Sequence, residues 1–331
     1  MLMTSRTPLR VSLFGGGTDY PGWYQRERGA VIGFTIDKHI YISALRLSSF
    51  VDYRYRISYS KLEATHRIEE IQHPVIRAVL LREHFDDPID CSIQADLPAN
   101  TGLGTSSAFT VGFLNLVAAM KDAPRTRMEL ARLAIEVEQQ DLQERVGVQD
   151  QLHATFGGLN HFEFEGDQVR VLTPHVRGET LDLLADWMLL VYTGTKRHAS
   201  ATLGEQLENT AAQRVDVELR EMLALVDEAH RLFEGCHGDD LPRELSRLLA
   251  EGWRLKRRLS SQVTNSDIDT LYGACLGAGA LSGKLCGAGG GGFLLMIVPP
   301  ERRATFIETV GRERCIPFRI EHHGSTILRG G

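Results

Sequence analysis

This 331-residue chain is poor in several features, and each shortage removes a class of function. Its five cysteines are odd in number and far apart, and no Cys-x-x-Cys pair occurs. A disulfide framework and a zinc knuckle are both excluded, and a reducing, cytoplasmic setting is expected. Positive charge is not in excess: 37 basic residues face 43 acidic ones, a formal net charge of −6. A phosphate backbone needs a basic face, so nucleic acid is not the expected partner. The longest apolar run, 293–300, is too short to cross a bilayer, and no membrane association is expected. Met1-Leu2-Met3-Thr4-Ser5-Arg6 leads directly into a strand-like segment, so no export signal is expected either. Familiar nucleotide motifs are missing too. In the sole Gly-Lys pair, Gly283-Lys284, the residue five places before the glycine is Ala278 and the residue after the lysine is Leu285, so no Walker A loop exists. Neither His-Arg-Asp nor Asp-Phe-Gly occurs, which excludes a protein kinase.

What is present is organised around Leu97-Pro98-Ala99-Asn100-Thr101-Gly102-Leu103-Gly104-Thr105-Ser106-Ser107-Ala108. The alternation of Cys91–Asp96 predicts a strand before it, and the apolar run Ala108–Val117 predicts a buried helix after it. A glycine turn that opens a helix presents free N–H groups and the positive end of the helix dipole, a setting for phosphate. Thr105, Ser106 and Ser107 supply hydroxyls that can cap the helix, bind phosphate oxygens or reach a Mg²⁺ ion. An ordinary N-cap after a loop would use the same residues.

The length predicts two domains. Strands are predicted over Leu9–Phe14, Ala30–Ile36, Ile40–Leu47 and Asp52–Ser60, and a helix over His73–His84. Thr126-Arg127-Met128-Glu129 reads as a capping box, and the helix it opens puts Leu130, Leu133, Ala134 and Val137 on one face. Gly147–Gln151 reads as a loop or helix start, His161–Phe164 with Gln168–Leu172 as a hairpin, and Trp187–Tyr192 as a strand. Residues from Ala199 to about Leu276 read as almost all helix. A strand over Phe293–Val298, a helix around Ala304–Arg314 and a strand around Phe318–His322 complete the chain. The change from strand-rich to helix-rich places the expected boundary between domains 1–195 and 196–331.

Glycine clusters at three places, residues 15–17, 102–104 and 287–292. Gly287–Gly292 matches Gly-x-Gly-x-x-Gly but enters a strand instead of a helix, so the dinucleotide reading fails. Three segments in order carry a more specific pattern. Pro98–Ala108 resembles the nucleotide loop of the GHMP small-molecule kinases, Pro8–Asp19 resembles their N-terminal substrate motif, and Lys284–Phe293 resembles their third, glycine-rich motif. The resemblance covers nearly the whole chain. It implies a two-domain α+β fold, with a ribosomal-S5-like N-terminal domain, a ferredoxin-like C-terminal domain, and ATP and substrate between them. Gly15-Gly16-Gly17-Thr18-Asp19 replaces the Gly-Glu-His-Thr-Asp of galactokinases. Together with Ile36-Asp37-Lys38 it is similar to the members that act on D-glycero-D-manno-heptose 7-phosphate, with fucokinase-type domains the nearest rivals.

The resemblance also implies roles. Asp150 takes the place of the base that accepts the proton of the attacking hydroxyl, and Arg10 that of the cation beside it, which stabilises charge on the transferring group. Pro98, Asn100, Gly102, Leu103, Gly104, Thr105, Ser106 and Ser107 are the expected ATP loop. Ser107 and Glu138 are the expected Mg²⁺ ligands. Gly16, Gly17, Thr18 and Asp19 are expected around the sugar, with Gly287, Gly289 and Gly290 closing the cleft from the other domain. A sugar 7-phosphate needs its own cations, and Lys196 and Arg197 are the first candidates, Lys38 the second. The implied partner is a small sugar phosphate, and a homodimer is left open. Competing readings are a kinase of the same fold acting on a neutral, fucose- or galactose-like sugar, and a non-catalytic binding regulator. The presence of Asp150, Ser107 and Glu138 argues against the regulator.

Overall fold

Strand β1 (Met3–Phe14) and strand β2 (Gly29–Arg46) form the centre of the molecule, and both are buried over most of their length. A computed structural model describes residues 1–194 and 200–330. β2 is one continuous strand where the polar triplet Asp37-Lys38-His39 predicts a break between two. The triplet instead forms an irregularity in the pairing, where Pro8 lies opposite His39 and Leu9 opposite Ile36. Proline has no N–H for the ladder, and a bulge accommodates it.

After the short helix α1 (Pro21–Tyr24), the first sheet adds β3 (Tyr55–Ser58) and β4 (Leu62–Thr65). Helix α2 (Pro74–Arg82) and strand β5 (Ile89–Ala95) follow, and β5 pairs with β2. The buried helix α3 (Thr105–Met120) packs on β1 and β2. Helix α4 (Arg127–Glu136) begins at the expected capping box, with Thr126 and Glu129 bonded to each other's backbone N–H. Helix α5 (Gln149–Phe156) packs on α3, α4 and β1, and the hairpin of β6 (Leu159–Glu165) and β7 (Gln168–Leu172) joins the sheet through β2.

Helix α6 (Gly178–Trp187) leads into β8 (Met188–Tyr192). Four helices follow, α7 (Ser200–Ala211), α8 (Asp216–Gly235), α9 (Asp240–Leu259) and α10 (Ser266–Gly277). The chain closes with β9 (Ser282–Leu285), β10 (Phe293–Ile297), α11 (Pro300–Val310), β11 (Cys315–Ile316) and β12 (Thr326–Arg329). The second sheet has the order β11-β8-β10-β9 with every pair antiparallel, the split βαβ order of ferredoxin-like domains.

This topology corrects the expected 1–195 and 196–331 division. Strand β8 lies before residue 195 but pairs with β10 in the second sheet, and β12, the last strand, returns to pair with β1 in the first. A composition shift detects the helices after β8, but it carries no information on strand partners. The expected strand around Phe318–His322 is reduced to a single bridge between Ile320 and Ile36. Helices α8 and α9 pack together, α8 against β1 and β2 and α9 against β9 and β1, which brings the two sheets to a common seam.

Candidate active site

The seam opens into a cleft of about 220 Å³. Its walls come from the end of β1, the loop after it, the N-termini of α3 and α5, helix α9 and strand β9.

The turn before α3 is built as its composition suggests. Gly102 and Gly104 have φ of +79° and +72°, a region that only glycine enters freely. Gly102 is held there by a neighbour as well. A Cβ on it would lie 2.5 Å from the carbonyl oxygen of Cys286, and a Cβ on Gly287 would lie 2.5 Å from Cα of Gly102. The nucleotide-type loop and the third glycine loop therefore pack backbone against backbone. Gly292 continues the contact, where a Cβ would come within 2.3 Å of the Thr101 carbonyl. Much of the glycine in residues 287–292 serves this close approach. Gly287 lines the cleft, but Gly290 turns its N–H to the carbonyl of Val263 at 3.0 Å, and neither Gly289 nor Gly290 is among the cleft's walls.

Asn100, Gly102, Gly104, Thr105, Ser106 and Ser107 face the cleft. Pro98 and Leu103 do not: Leu103 is fully buried in the core, and its carbonyl accepts the N–H of Arg10 at 3.0 Å. In the loop after β1, Gly16, Gly17 and Asp19 face the cleft. Thr18 does not. Its hydroxyl donates to the carbonyls of Gly15 and Ala30 at 2.8 and 2.9 Å, so it ties the loop to β2. Its hydroxyl is thereby occupied within the protein. Asp19 accepts the Gly17 N–H at 2.9 Å. Burial pushes its carboxyl above the ordinary range, a rise to which Asp150 adds and which the Gly17 N–H opposes. Gly147 has no room for a side chain, because a Cβ would sit 2.1 Å from an oxygen of Asp19.

Arg10, on β1, is 6% exposed and reaches across the cleft floor. Its Nε and Nη2 donate to the two carboxylate oxygens of Asp150 at 2.7 and 2.8 Å, and its Nη1 donates to the Gly102 carbonyl at 2.6 Å. One guanidinium thus fixes the acid at the start of α5 and the glycine turn before α3. Burial works against the charge on Arg10, but Asp150 outweighs it and holds the guanidinium above its ordinary range.

Glu138 arrives by a local irregularity. Helix α4 widens into a π-helical turn over Val137–Asp141, a feature that often re-aims a side chain at a functional site. Glu138 is 1% exposed, and its Oε2 accepts the Ser107 hydroxyl at 2.9 Å and the side-chain amide of Gln151. Its Oε1 is buried without a hydrogen-bond partner. Burial pushes its carboxyl up to about 7. A buried carboxylate with one oxygen unsatisfied, next to a serine hydroxyl and a phosphate-type loop, suits Mg²⁺, which takes one or two protein oxygens and draws the rest from phosphates and water. Among the described residues no group of three or more His, Cys, Asp and Glu is arranged to enclose a metal by itself.

Among the wall residues without a role in the sequence reading are two lysines, Lys256 and Lys284. Lys256 lies in the run Lys256-Arg257-Arg258, which reads as the basic last turn of a helix, and Lys284 reads only as the start of the third glycine motif. Both ammonium groups are buried at the cleft. Lys196 and Arg197 lie outside the described residues. Lys38 is bonded to its neighbour Asp37 at 3.0 Å and is not part of the cleft.

Comparison with known proteins agrees with this architecture. Residues 73–158 match the GHMP kinases N terminal domain, and residues 239–316 match the GHMP kinases C terminal domain. The chain is 28% identical over 320 residues to D-glycero-alpha-D-manno-heptose 7-phosphate kinase of Campylobacter jejuni subsp. jejuni serotype O:2, covering 94% of this chain and 93% of that one. It is 24% identical over 166 residues to the galactokinase of Thermotoga maritima, covering 49% of this chain and 46% of that one. A crystal structure of a D-glycero-D-manno-heptose 1-phosphate kinase from Bacteriodes thetaiotaomicron superposes with a TM-score of 0.81 at 23% identity, covering 99% of both chains. The galactose complex of Lactococcus lactis galactokinase superposes with a TM-score of 0.74 at 17% identity, covering 99% of this chain and 95% of that one. Among the described residues no helix is long and apolar enough to cross a membrane.

Proposed function

Because the chain belongs to the GHMP kinase family and is a sugar kinase, we propose that it transfers the γ-phosphoryl group of ATP to the anomeric hydroxyl of D-glycero-D-manno-heptose 7-phosphate, giving the 1,7-bisphosphate. The product would feed the synthesis of nucleotide-activated heptose for surface polysaccharide. The observation that carries the substrate choice is the 28% identity to a heptose 7-phosphate kinase along 94% of the chain. The galactokinase likeness in sequence extends over only 49% of it.

In this reading the N-terminal turn of α3, from Gly104 to Ser107, receives the nucleotide phosphates on its free N–H groups and hydroxyls. Asp19 accepts hydrogen bonds from sugar hydroxyls, and Gly16 and Gly17 let the sugar lie near the backbone. Asp150, which lines the same cleft, takes the proton of the attacking hydroxyl as the new O–P bond forms and the bond from the γ-phosphorus to the β–γ bridging oxygen breaks, leaving ADP. The transition state of phosphoryl transfer is loose, so orientation of that hydroxyl counts for more than its full deprotonation. Arg10 supplies the orientation by holding both oxygens of Asp150, and it brings a fixed positive charge near the transferring group. Ser107 and Glu138 would hold Mg²⁺. When bound, Mg²⁺ neutralises charge on the β- and γ-phosphate oxygens.

A neutral fucose- or galactose-like sugar is the competing substrate, and one experiment separates the two. ADP release is followed with Mg·ATP and either the 7-phosphate or the unphosphorylated heptose. Turnover confined to the 7-phosphate supports the proposal. Turnover of the neutral sugar, or of neither, rejects this substrate and directs the search to a panel of hexoses.

A further inference from the structure

Two buried lysines line the cleft beside the Arg10–Asp150 pair and Asp19, and among the described residues neither is paired with a carboxylate. Lys256, on α9, is 8% exposed, and Lys284, on β9, is 7% exposed. Both contribute to the cleft wall. The Lys284 ammonium donates to the carbonyls of Ser12 and Leu13 at 2.9 and 2.8 Å. The Lys256 ammonium donates to the carbonyl of Leu285 at 2.8 Å and to that of Gly287. An ammonium carries three donors, so each retains one after these bonds. Among the described residues neither lysine meets a carboxylate within salt-bridge distance.

The neighbouring charges make the imbalance worse. Burial drives Lys256 well below its ordinary range, and Lys284 lowers it further. Burial likewise brings Lys284 down to about 8, with Arg10 adding to the effect. Cys286 is near both, but burial raises its thiol above its ordinary range even against the pull of the two lysines, so it offers no negative charge. The Arg10 guanidinium already has Asp150 and the Gly102 carbonyl as partners. Burying an ionised group without a partner is costly, and burying two close together costs more. The fold nevertheless anchors both, using α9, β9 and the end of β1. An anion entering with a ligand would supply the missing partner.

We propose that Lys256 and Lys284 form a phosphate subsite for the acceptor, which gives the enzyme its preference for a phosphorylated sugar. This rests on the reading that the acceptor carries a phosphate monoester. The placement favours the acceptor over the nucleotide. Lys284 is fastened to Ser12 and Leu13, immediately before the Gly15–Asp19 loop assigned to the sugar, whereas the nucleotide phosphates already have the N-terminus of α3. The site would act through charge and hydrogen bonds to phosphate oxygens and takes no part in bond making.

The test compares the wild-type chain with Lys256→Gln, Lys284→Gln and Lys256→Arg. Glutamine keeps a donor for the carbonyls and removes the charge, and arginine keeps the charge. Steady-state rates are measured with Mg·ATP against heptose 7-phosphate and unphosphorylated heptose. Either glutamine variant is expected to raise KM for the 7-phosphate by about tenfold or more, the usual worth of a charge-assisted hydrogen bond. KM for ATP should stay within about twofold, and Lys256→Arg should recover most of the loss. The proposal is overturned if KM for the 7-phosphate is unchanged, or if KM for ATP rises instead. A fall in kcat with both KM values unchanged also overturns it, since that outcome marks a loop-positioning role. The two glutamine variants are independent, so the misfolding of one leaves the other to decide. Wild-type enzyme that uses only a neutral sugar overturns both this subsite and the heptose 7-phosphate reading. Turnover of a different sugar phosphate, with a KM that rises in the variants, overturns the heptose reading alone.

Discussion

The guanidinium of Arg10 grips both carboxylate oxygens of Asp150, at 2.7 and 2.8 Å, across 140 residues of sequence. The pair spans β1 and the start of α5, and the third arm of the guanidinium reaches the Gly102 carbonyl at 2.6 Å. A bidentate pair fixes direction as well as distance, so the acid cannot rotate away from the cleft.

Asp150→Asn keeps the size of the side chain, removes the proton acceptor and leaves Arg10 one acceptor oxygen in place of two. It should lower kcat by about 10²–10⁴-fold, the usual contribution of a positioned base. KM for ATP should change little, because the nucleotide loop contacts Arg10 through Gly102 and Leu103 and not through Asp150. Steady-state kinetics with nucleotide binding measured separately would check this. Wild-type-like turnover would remove Asp150 from the mechanism.

The loop-on-loop contact makes a second prediction. Gly102→Ala adds a Cβ 2.5 Å from the Cys286 carbonyl at a residue with φ of +79°. It should cost about 1–3 kcal/mol of stability and reduce kcat/KM, since the strain falls on the loop facing the cleft. Gly22→Ala is the matched control, with nothing within 4 Å of the added carbon. Thermal unfolding of the two variants should show a lower midpoint for Gly102→Ala alone.

Legibility in the sequence varied with how local each signal was. The capping box at Thr126, the strand-turn-helix around Gly102 and the hairpin at β6 and β7 depend on neighbours a few residues away, and the sequence pattern carries them. Strand partnership is non-local. The pairing of β8 with β10 and the return of β12 to β1 are not encoded in composition, so the expected boundary cut the second sheet. The site divides in the same way. Arg10 and Ser107 fall within motifs, Asp150 and Glu138 take positions the family resemblance implies, and the fold brings the four together as pairs. Lys256 resembles any lysine near the end of a helix, and only its burial beside Gly287 sets it apart. Thr18 shows the converse: it belongs to a motif, yet its hydroxyl is consumed by backbone carbonyls.

The Ser107–Glu138 pair predicts a dependence on Mg²⁺ that its variants should shift. EDTA should abolish turnover of the wild type, and added Mg²⁺ should restore it. Ser107→Ala and Glu138→Gln should raise the Mg²⁺ concentration needed for half-maximal rate, and Glu138→Gln should do so more, because it removes the charged ligand. Titration of rate against Mg²⁺ at fixed ATP would check the order. Unchanged Mg²⁺ curves in both variants would assign the pair a structural role.

A last prediction concerns acid stability. His161, on β6, is 3% exposed, and its Nδ1 lies 3.1 Å from Nδ1 of His230 on α8. Burial brings its imidazole down from 6.5 to about 4, with His230 adding to the fall, Arg28 acting in the same sense and Asp227 opposing it. The unfolded chain therefore binds a proton at this residue before the folded one does. Stability is complete above pH 6.5 and is lost as the pH falls towards 4, the sign that follows when the unfolded state holds more protons. Between pH 7 and pH 5 the loss from this residue should be on the order of 2 kcal/mol. His161→Phe removes the titrating group and should flatten the decline over that interval, whatever its effect on stability at pH 7. Buried His153, brought down to about 3 mainly by burial, remains in the variant and should leave a residual slope. Thermal or urea unfolding of both proteins at several pH values reads the difference, and identical slopes would show that the His161–His230 contact does not control acid stability.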